Sequence, residues 1–195
     1  MAYTQNKLRL HDQRGVGYIE MMASIALFAI IAMTAAEISI SILRLARREQ
    51  IRADLHKAAA LGMEPLREAA KGANAVLATA TIAGSTYNTS NQQVAFSLPP
   101  IDAQGVVLSG TDYIGFRKDT TDPTLLIQET QAASGSVRQT GKATIARFVD
   151  TFAVRYNTST PALATGVEFY LETTALDGTT RIRAPLQTIV RLENQ

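Results

Sequence analysis

The hydrophobic residues of this chain are concentrated in one segment near the start of the sequence. Residues 21–36, MMASIALFAIIAMTAA, are 16 consecutive positions without a charge, and the segment continues to Leu43 with Glu37 as its one charged residue. These 23 residues would form a helix about 34 Å long, and the hydrocarbon core of a bilayer is about 30 Å thick. Because the segment is apolar on every face, it predicts a membrane-spanning helix over residues 16–43 rather than a buried core helix.

Beyond Arg44 the apolar residues recur at steps of three and four, which is the spacing of one face of a helix. This stripe consists of Ile51, Leu55, Ala58, Gly62, Leu66, Ala69, Ala73 and Val76. The pattern predicts an amphipathic stalk helix over residues 44–80. Pro65 lies inside it, and a proline removes a helical hydrogen bond and clashes with the preceding turn. A kink or short break is therefore expected at residues 62–65.

The remainder of the chain shows the short alternating runs that are typical of β-strands. Six strands are predicted, at residues 93–98, 111–118, 124–130, 148–156, 166–174 and 180–192. The polar stretch Ala83–Gln93 is predicted to be a linker, and the Asp177-Gly178 pair is a strong hairpin signal. Residues 81–195 thus predict a β-rich domain. The fold class is α+β, with a long N-terminal helix packed on a C-terminal antiparallel sheet.

Composition and charge exclude several classes of site. The chain has no cysteine, so disulfides and thiolate metal sites are excluded. Its histidines are His11 and His56, and loss of a leader would leave His56 alone, so sites that need several imidazoles are excluded as well. The net charge of +2 arises from residues 1–15, which hold three basic side chains and one acidic one. The basic residues of 44–71 could form an anionic-lipid or nucleic-acid patch, but we interpret them as a solvated helix face.

The junction between the polar N-terminus and the apolar segment carries the most informative motif. Residues 14–20 read Arg-Gly-Val-Gly-Tyr-Ile-Glu, after a basic stretch that has the form of a targeting region. This junction resembles the cleavage and methylation signature of type IV pilins and type II secretion pseudopilins. The resemblance implies that residues 1–15 are a leader, that a prepilin peptidase cuts between Gly15 and Val16, and that Val16 is then N-methylated. The apolar segment would be retained.

Two residues of this junction also have a physical rationale. Gly15 has no side chain, which suits a residue that must enter a narrow proteolytic cleft. Glu20 lies at the head of the apolar segment, where an ionised carboxylate costs roughly 2.5–3.5 kcal/mol at mid-depth and usually has a partner. We expect that partner to be the amine freed at Val16 of a neighbouring subunit, which would set the axial stagger of a filament. The alternative is that Glu20 is solvated at the membrane interface.

The resemblance extends loosely to the C-terminal part, where residues 145–156 and 188–194 look like those of larger minor pilins and J-type pseudopilins. It implies a structural subunit whose partners are other pilin or pseudopilin subunits, the prepilin peptidase, the inner-membrane assembly platform and membrane lipid. The implied location is the bacterial inner membrane, in a single pass with the C-terminal domain outside the cytoplasm, and then a filament in the periplasm or at the cell surface.

Two other interpretations remain open from the sequence. One is a single-span, membrane-anchored envelope protein whose β domain binds a ligand, and the other is a secreted domain released after Ala36. N-terminal sequencing of the membrane-extracted protein would separate them, because the first keeps an intact N-terminus and the second loses Val16.

Catalytic and metal-binding chemistry have weak candidates. Glu168 and Glu172 share one face of a predicted strand, and Asp119 with Asp122 could form a calcium site, but such residues are more often a solvated strand face or a loop. His56 lies on a charged helix face, which does not favour a Ser-His-Asp arrangement. We therefore expect no catalytic residues, no cofactor and no metal, and a protein that is not an enzyme.

Overall fold

The structure, a computed structural model, describes residues 16–192, and it divides between Arg47 and Arg48 into two compact units. We call residues 16–47 the N-terminal unit and residues 48–192 the packed unit. The helix α1 (Val16–Lys71) runs through both. The strands are β1 (Ala75–Leu77), β2 (Thr79–Ile82), β3 (Ser85–Asn88), β4 (Gln93–Leu98), β5 (Asp112–Lys118), β6 (Leu126–Gln131), β7 (Gly141–Ala146), β8 (Val149–Tyr156), β9 (Gly166–Asp177) and β10 (Thr180–Arg191), with a 3₁₀ turn at Pro161–Leu163.

The strands form three antiparallel groups. A five-stranded sheet has the order β1-β4-β5-β6-β7, a three-stranded sheet has the order β10-β9-β8, and β2 and β3 form a separate hairpin. The α+β layout predicted from the sequence is confirmed, since one long N-terminal helix packs through its residues 48–71 on antiparallel sheet.

The core of the packed unit lies between the helix and the inner faces of both larger sheets. Its helical members are Ala59, Met63, Leu66, Ala69 and Ala70, and its strand members include Phe96, Phe116, Phe152, Phe169 and Leu171. The Phe96 and Phe169 rings meet edge to face with centroids 6.4 Å apart, which joins the two sheets. Gly62 lets the helix approach closely, because a Cβ there would lie 2.5 Å from the Cβ of Ala146.

The five-stranded sheet is covered on its other face by the β2–β3 hairpin. Ile82 and Tyr87 of the hairpin are fully buried against Ala95. The Tyr87 ring lies directly on Gly115, where an added Cβ would be 2.5 Å from the ring. This cover explains why β4 is buried along nearly its whole length instead of alternating.

The helix ends earlier than the predicted residue 80. Its last residue is Lys71, and Gly72 and Asn74 follow, with the Asn74 amide donating to Ser97 O at 2.8 Å. Glycine and asparagine are common just after helices, so this end could have been predicted. The helix is not broken at residues 62–65, because α1 continues through Pro65, and the expected kink there stays a prediction. Burial of the neighbouring Met63 and Leu66 favours the helix at this point despite the proline.

All six predicted strands are confirmed within a few residues, but β1, β2, β3 and β7 were missed. The region predicted as a linker contains a hairpin turn at Ala83 and Gly84, whose φ angles of 49° and 86° suit a two-residue turn. Strand β7 is an edge strand whose first four residues are exposed, so it has no alternating pattern. Strand β8 starts at Val149 because Phe148 adopts a positive φ of 61° in the preceding turn.

Strand β10 forms one edge of the three-stranded sheet, and β8 forms the other. The predicted hairpin before β10 is confirmed, with Gly178 at φ 60° and Asp177 opposite Thr180. In this register the backbone groups of every second residue from Arg181 to Arg191 point away from β9. Pro185 is one of these residues, so its missing N–H falls on the open side.

Candidate assembly site and the polar clusters of the packed unit

The N-terminal unit exposes apolar side chains all round the helix. One helix of the described chain is long and apolar enough to cross a membrane, with a mean hydropathy of 2.2 over its most apolar window, and none of that window is buried. Its exposed large side chains are Tyr18, Ile19, Met21, Met22, Ile25, Leu27, Phe28, Ile30, Ile31, Met33, Ile38, Ile40, Ile42, Leu43 and Leu45. So large an apolar surface needs lipid or other protein chains to cover it.

Two hydroxyl groups of this unit donate to the helix backbone. Thr34 Oγ1 donates to Ile31 O at 2.9 Å, and Ser39 Oγ donates to Ala35 O at 2.8 Å. Such bonds to the preceding turn let hydroxyl residues sit in an apolar environment. The charged groups of residues 16–43 are Glu20 and Glu37.

The predicted assembly residue Glu20 is exposed on the first turns of α1. The neighbouring positions on its face carry no cation, and within residues 16–192 it forms no ion pair. It lies four residues, or about 6 Å along the axis, beyond Val16. Gly15 and the rest of the predicted leader lie outside the described residues, so cleavage after Gly15 stays a prediction.

The two strand carboxylates Glu168 and Glu172 do share the outer face of the three-stranded sheet, as the alternation predicts. Each is held by a structural partner: Glu168 accepts a hydrogen bond from Gln187, and Glu172 accepts one from the Tyr170 hydroxyl at 2.8 Å. The bond to Glu172 raises the pKa of Tyr170. A shallow groove of about 340 Å³ lies over this face. The arrangement resembles a cross-strand polar network rather than a general acid and base aimed at a substrate.

The two loop carboxylates Asp119 and Asp122 cap their own turn. Asp122 Oδ1 accepts from the Thr124 amide at 2.9 Å, and Asp119 binds the Thr121 amide at 3.1 Å and Lys142 at 3.0 Å. These hydrogen bonds lower the pKa of both carboxyl groups. No group of three or more potential metal ligands occurs within the described chain.

Sequence analysis missed a buried ion pair between β5 and the loop after β6. Asp112 is fully buried, and its Oδ2 accepts from Ser136 Oγ and from Arg138 Nη1, each at 2.7 Å. Burial disfavours the charged carboxylate, but these bonds and one from the Ala133 amide outweigh burial and lower its pKa. Alternation could not reveal the pair, because Asp112 and Arg138 are 26 residues apart.

Arg138 also lines a cleft of about 340 Å³ between the helix and the five-stranded sheet. The other lining residues are Pro65, Glu68, Ala69, Leu98, Ile114, Gln128, Thr130 and Gln139. The guanidinium is fixed by Asp112 and by a bond to Pro99 O at 2.8 Å. The cleft is therefore a small polar recess with one pre-oriented cation in its wall.

A second buried cluster fastens the β2–β3 hairpin to the sheet. The Arg117 guanidinium lies 5.2 Å from the centre of the Tyr87 ring and donates to Glu129 Oε1 at 3.1 Å and to Ser85 Oγ at 3.2 Å. Burial raises the pKa of Tyr87. Because each member contacts the hairpin or the strand beside it, we interpret this cluster as structural.

In comparisons with known proteins, no protein-family model matches the chain, and no curated protein matches it with significance. The class of this protein is therefore defined by its architecture, an exposed apolar helix joined to an α+β packed unit. The resemblance to pilins rests on the junction residues themselves.

Proposed function

We propose that this chain is a minor pilin or pseudopilin, a structural subunit of a type IV pilus or a type II secretion pseudopilus. The observation that carries the proposal is the junction: in the sequence Gly15 comes immediately before an apolar helix that carries Glu20 near its start and exposes apolar side chains on all faces. A retained helix of this kind serves both to anchor a precursor in a membrane and to pack against copies of itself.

The packed unit supports assembly rather than catalysis. Its most buried charged groups, Asp112 and Glu129, are paired with arginines at 2.7 Å and 3.1 Å. The carboxylates proposed from the sequence as chemical candidates are engaged by their own strands and turns. These groups stabilise the fold. The large exposed apolar surface belongs to the N-terminal unit.

The mechanism that follows has three steps. The precursor is held in the bacterial inner membrane by its apolar helix, with the packed unit outside the cytoplasm. The prepilin peptidase removes residues 1–15 and frees the amine of Val16. That amine then pairs with Glu20 of a neighbouring subunit as the assembly platform moves the helix out of the bilayer into a filament, so lipid contacts are exchanged for contacts with other subunits.

Processing gives the direct test. Replacing Gly15 with leucine should block the cut, and a slower-migrating precursor should accumulate in membranes from cells that hold the peptidase. Ala26→Leu is the matched control, because it adds the same side chain at an exposed position of the apolar segment. N-terminal sequencing should find Val16 first in the wild type and in the control. Normal processing of the Gly15 variant would contradict the proposal.

One observation favours a second candidate, the membrane-anchored envelope protein with a ligand-binding β domain. That observation is the cleft beside Arg138, whose volume of about 340 Å³ falls in the range of small ligand sites. Such a protein would keep its N-terminus intact, so the same sequencing experiment separates the two candidates.

A further inference from the structure

The apolar segment carries a second carboxylate, Glu37, whose partner the proposed Glu20 pair does not supply. Glu37 is exposed, and the positions three and four residues away on its helix are Met33, Thr34, Ile40 and Ser41, none of which is a cation. The Thr34 hydroxyl already donates to the backbone. Within residues 16–192, Glu37 forms no ion pair or side-chain hydrogen bond.

Glu37 lies near the far boundary of the membrane, where lipid headgroups and water can solvate its charge, but it needs another partner once helices pack on one another. It lies 21 residues beyond Val16, which is about 31 Å along a helix, so it reaches the far boundary of a hydrocarbon core of about 30 Å. Ionised groups in such segments are rare, and their usual partners are other charged groups. In a filament, where helices pack on one another away from lipid headgroups, the need for a partner grows.

The first cation beyond Glu37 is Arg44, which lies seven residues further along. Seven residues are nearly two helical turns, so the two side chains lie within about 20° of the same face and about 10 Å apart along the axis. Arg44 is also exposed, and it too forms no ion pair or side-chain hydrogen bond in the described chain. The same face of one helix thus carries an unpaired anion and an unpaired cation.

In parallel copies of this helix that all turn this face toward a common filament axis, a displacement of about 10 Å along the axis brings Arg44 of one copy level with Glu37 of the next. Each copy offers its Glu37 to one neighbour and its Arg44 to another. Such a head-to-tail contact does not close on itself and generates an open filament. Complementary charge and the bare apolar surface around both residues point to a second copy of this chain as the occupant.

We propose that Glu37 of one subunit and Arg44 of a parallel neighbour form an ion pair that fixes the axial displacement between them. This inference rests on the proposed function, since it needs parallel copies. Glu37 lies about 100° round the helix from Glu20, so the two carboxylates face different neighbours. The filament would then have two sets of charge contacts, one at each end of the apolar segment.

Cross-linking tests the geometry, and the absence of native cysteine makes it clean. In the full-length double variant Glu37→Cys with Arg44→Cys, the two sulfurs cannot join within one chain, because their Cα atoms are about 10 Å apart and a disulfide needs less than about 7 Å. Oxidation of membranes with assembled subunits should give a ladder of multimers. The matched control, Glu37→Cys with Leu45→Cys, keeps the depth but turns the second thiol to another face, and should give no ladder.

Charge variants test the pairing. Glu37→Lys and Arg44→Glu alone should each lower the yield of assembled multimers by about tenfold, and the swapped double variant should recover most of it, as expected of a close charge pair. Glu37→Gln removes a charge from the segment, so it should not hinder membrane insertion. It should still lower the yield of assembled multimers, which would exclude failed insertion as the cause.

The failures are distinguishable. If the wild-type chain is not cut before Val16, the proposed function fails and the inference fails with it. If the wild type is cut and assembles, but the swapped variant is no better than the single ones or the control pair cross-links equally well, only the Glu37–Arg44 contact is overturned.

Discussion

The two units of this chain use the same kinds of residue in opposite ways. In the packed unit the large apolar side chains are mostly buried, and its buried carboxylates Asp112 and Glu129 are paired. In the N-terminal unit the large apolar side chains are exposed, and the carboxylates Glu20 and Glu37 have no partner within the described chain. The contrast indicates that the packed unit is stabilised by its own contacts, whereas the N-terminal unit depends on a membrane or on other chains.

The largest expected effect is on the free energy of unfolding, and it is tested by the same substitution of a phenylalanine in each unit. Phe169→Ala removes a fully buried ring that packs on Phe96, and should lower the free energy of unfolding by about 3–5 kcal/mol. Phe28→Ala makes the same change at a ring that is 73% exposed, and should leave that free energy unchanged. Urea unfolding of the full chain in detergent, followed by circular dichroism of the strands, would measure both. Equal losses would break the comparison.

A smaller effect concerns the buried carboxylate Asp112. Since its pKa is lowered in the folded state, its contribution to stability is present above the unfolded value of about 3.9 and is lost as the pH falls through the lower folded value. Asp112→Asn should cost about 1.5–3 kcal/mol at pH 7 and flatten the decline in stability on acidification. The control is Asp54→Asn, at an exposed helix position. An unchanged pH profile in the Asp112 variant would contradict this assignment.

The smallest effect compares two glycines of the same helix. Gly62→Ala places a Cβ 2.5 Å from Ala146 Cβ, and should destabilise the packed unit by about 1–2 kcal/mol even though alanine favours helices. Gly17→Ala meets nothing within 4 Å, so only the helix preference acts there. Thermal unfolding of the two variants checks the difference. A stabilised Gly62 variant would show that the helix and β7 can separate at little cost.

The sequence predicted the elements whose signal is local. The apolar segment, the helical stripe and the six alternating strands follow from periodicity within single elements, and the turn at Gly178 follows from its neighbour Asp177. The missed elements depend on distant residues. Strand β3 is held in place because the Tyr87 ring packs on Gly115, which lies 28 positions later. The helix continues through Pro65 because residues around it pack on strands far along the chain.

The candidate site divides in the same way. Glu20 and Glu37 could be named from the sequence, because a charge in an apolar run is conspicuous by itself. The Asp112–Arg138 pair and the cleft beside it could not, because they arise only when β5 and the loop after β6 meet. The unexpected side-chain clusters are accordingly all in the packed unit.

The position of β10 at an edge of its sheet affects whether neighbouring copies in a membrane aggregate through their strands. Anchoring, as proposed, confines copies to a plane, where unpaired strands would meet often and could stack into irreversible aggregates. On β10 the outward backbone positions include Pro185, which cannot donate a hydrogen bond to an added strand. An edge that pairs poorly with other strands limits aggregation through the sheets. Contacts between copies would then form through the helices.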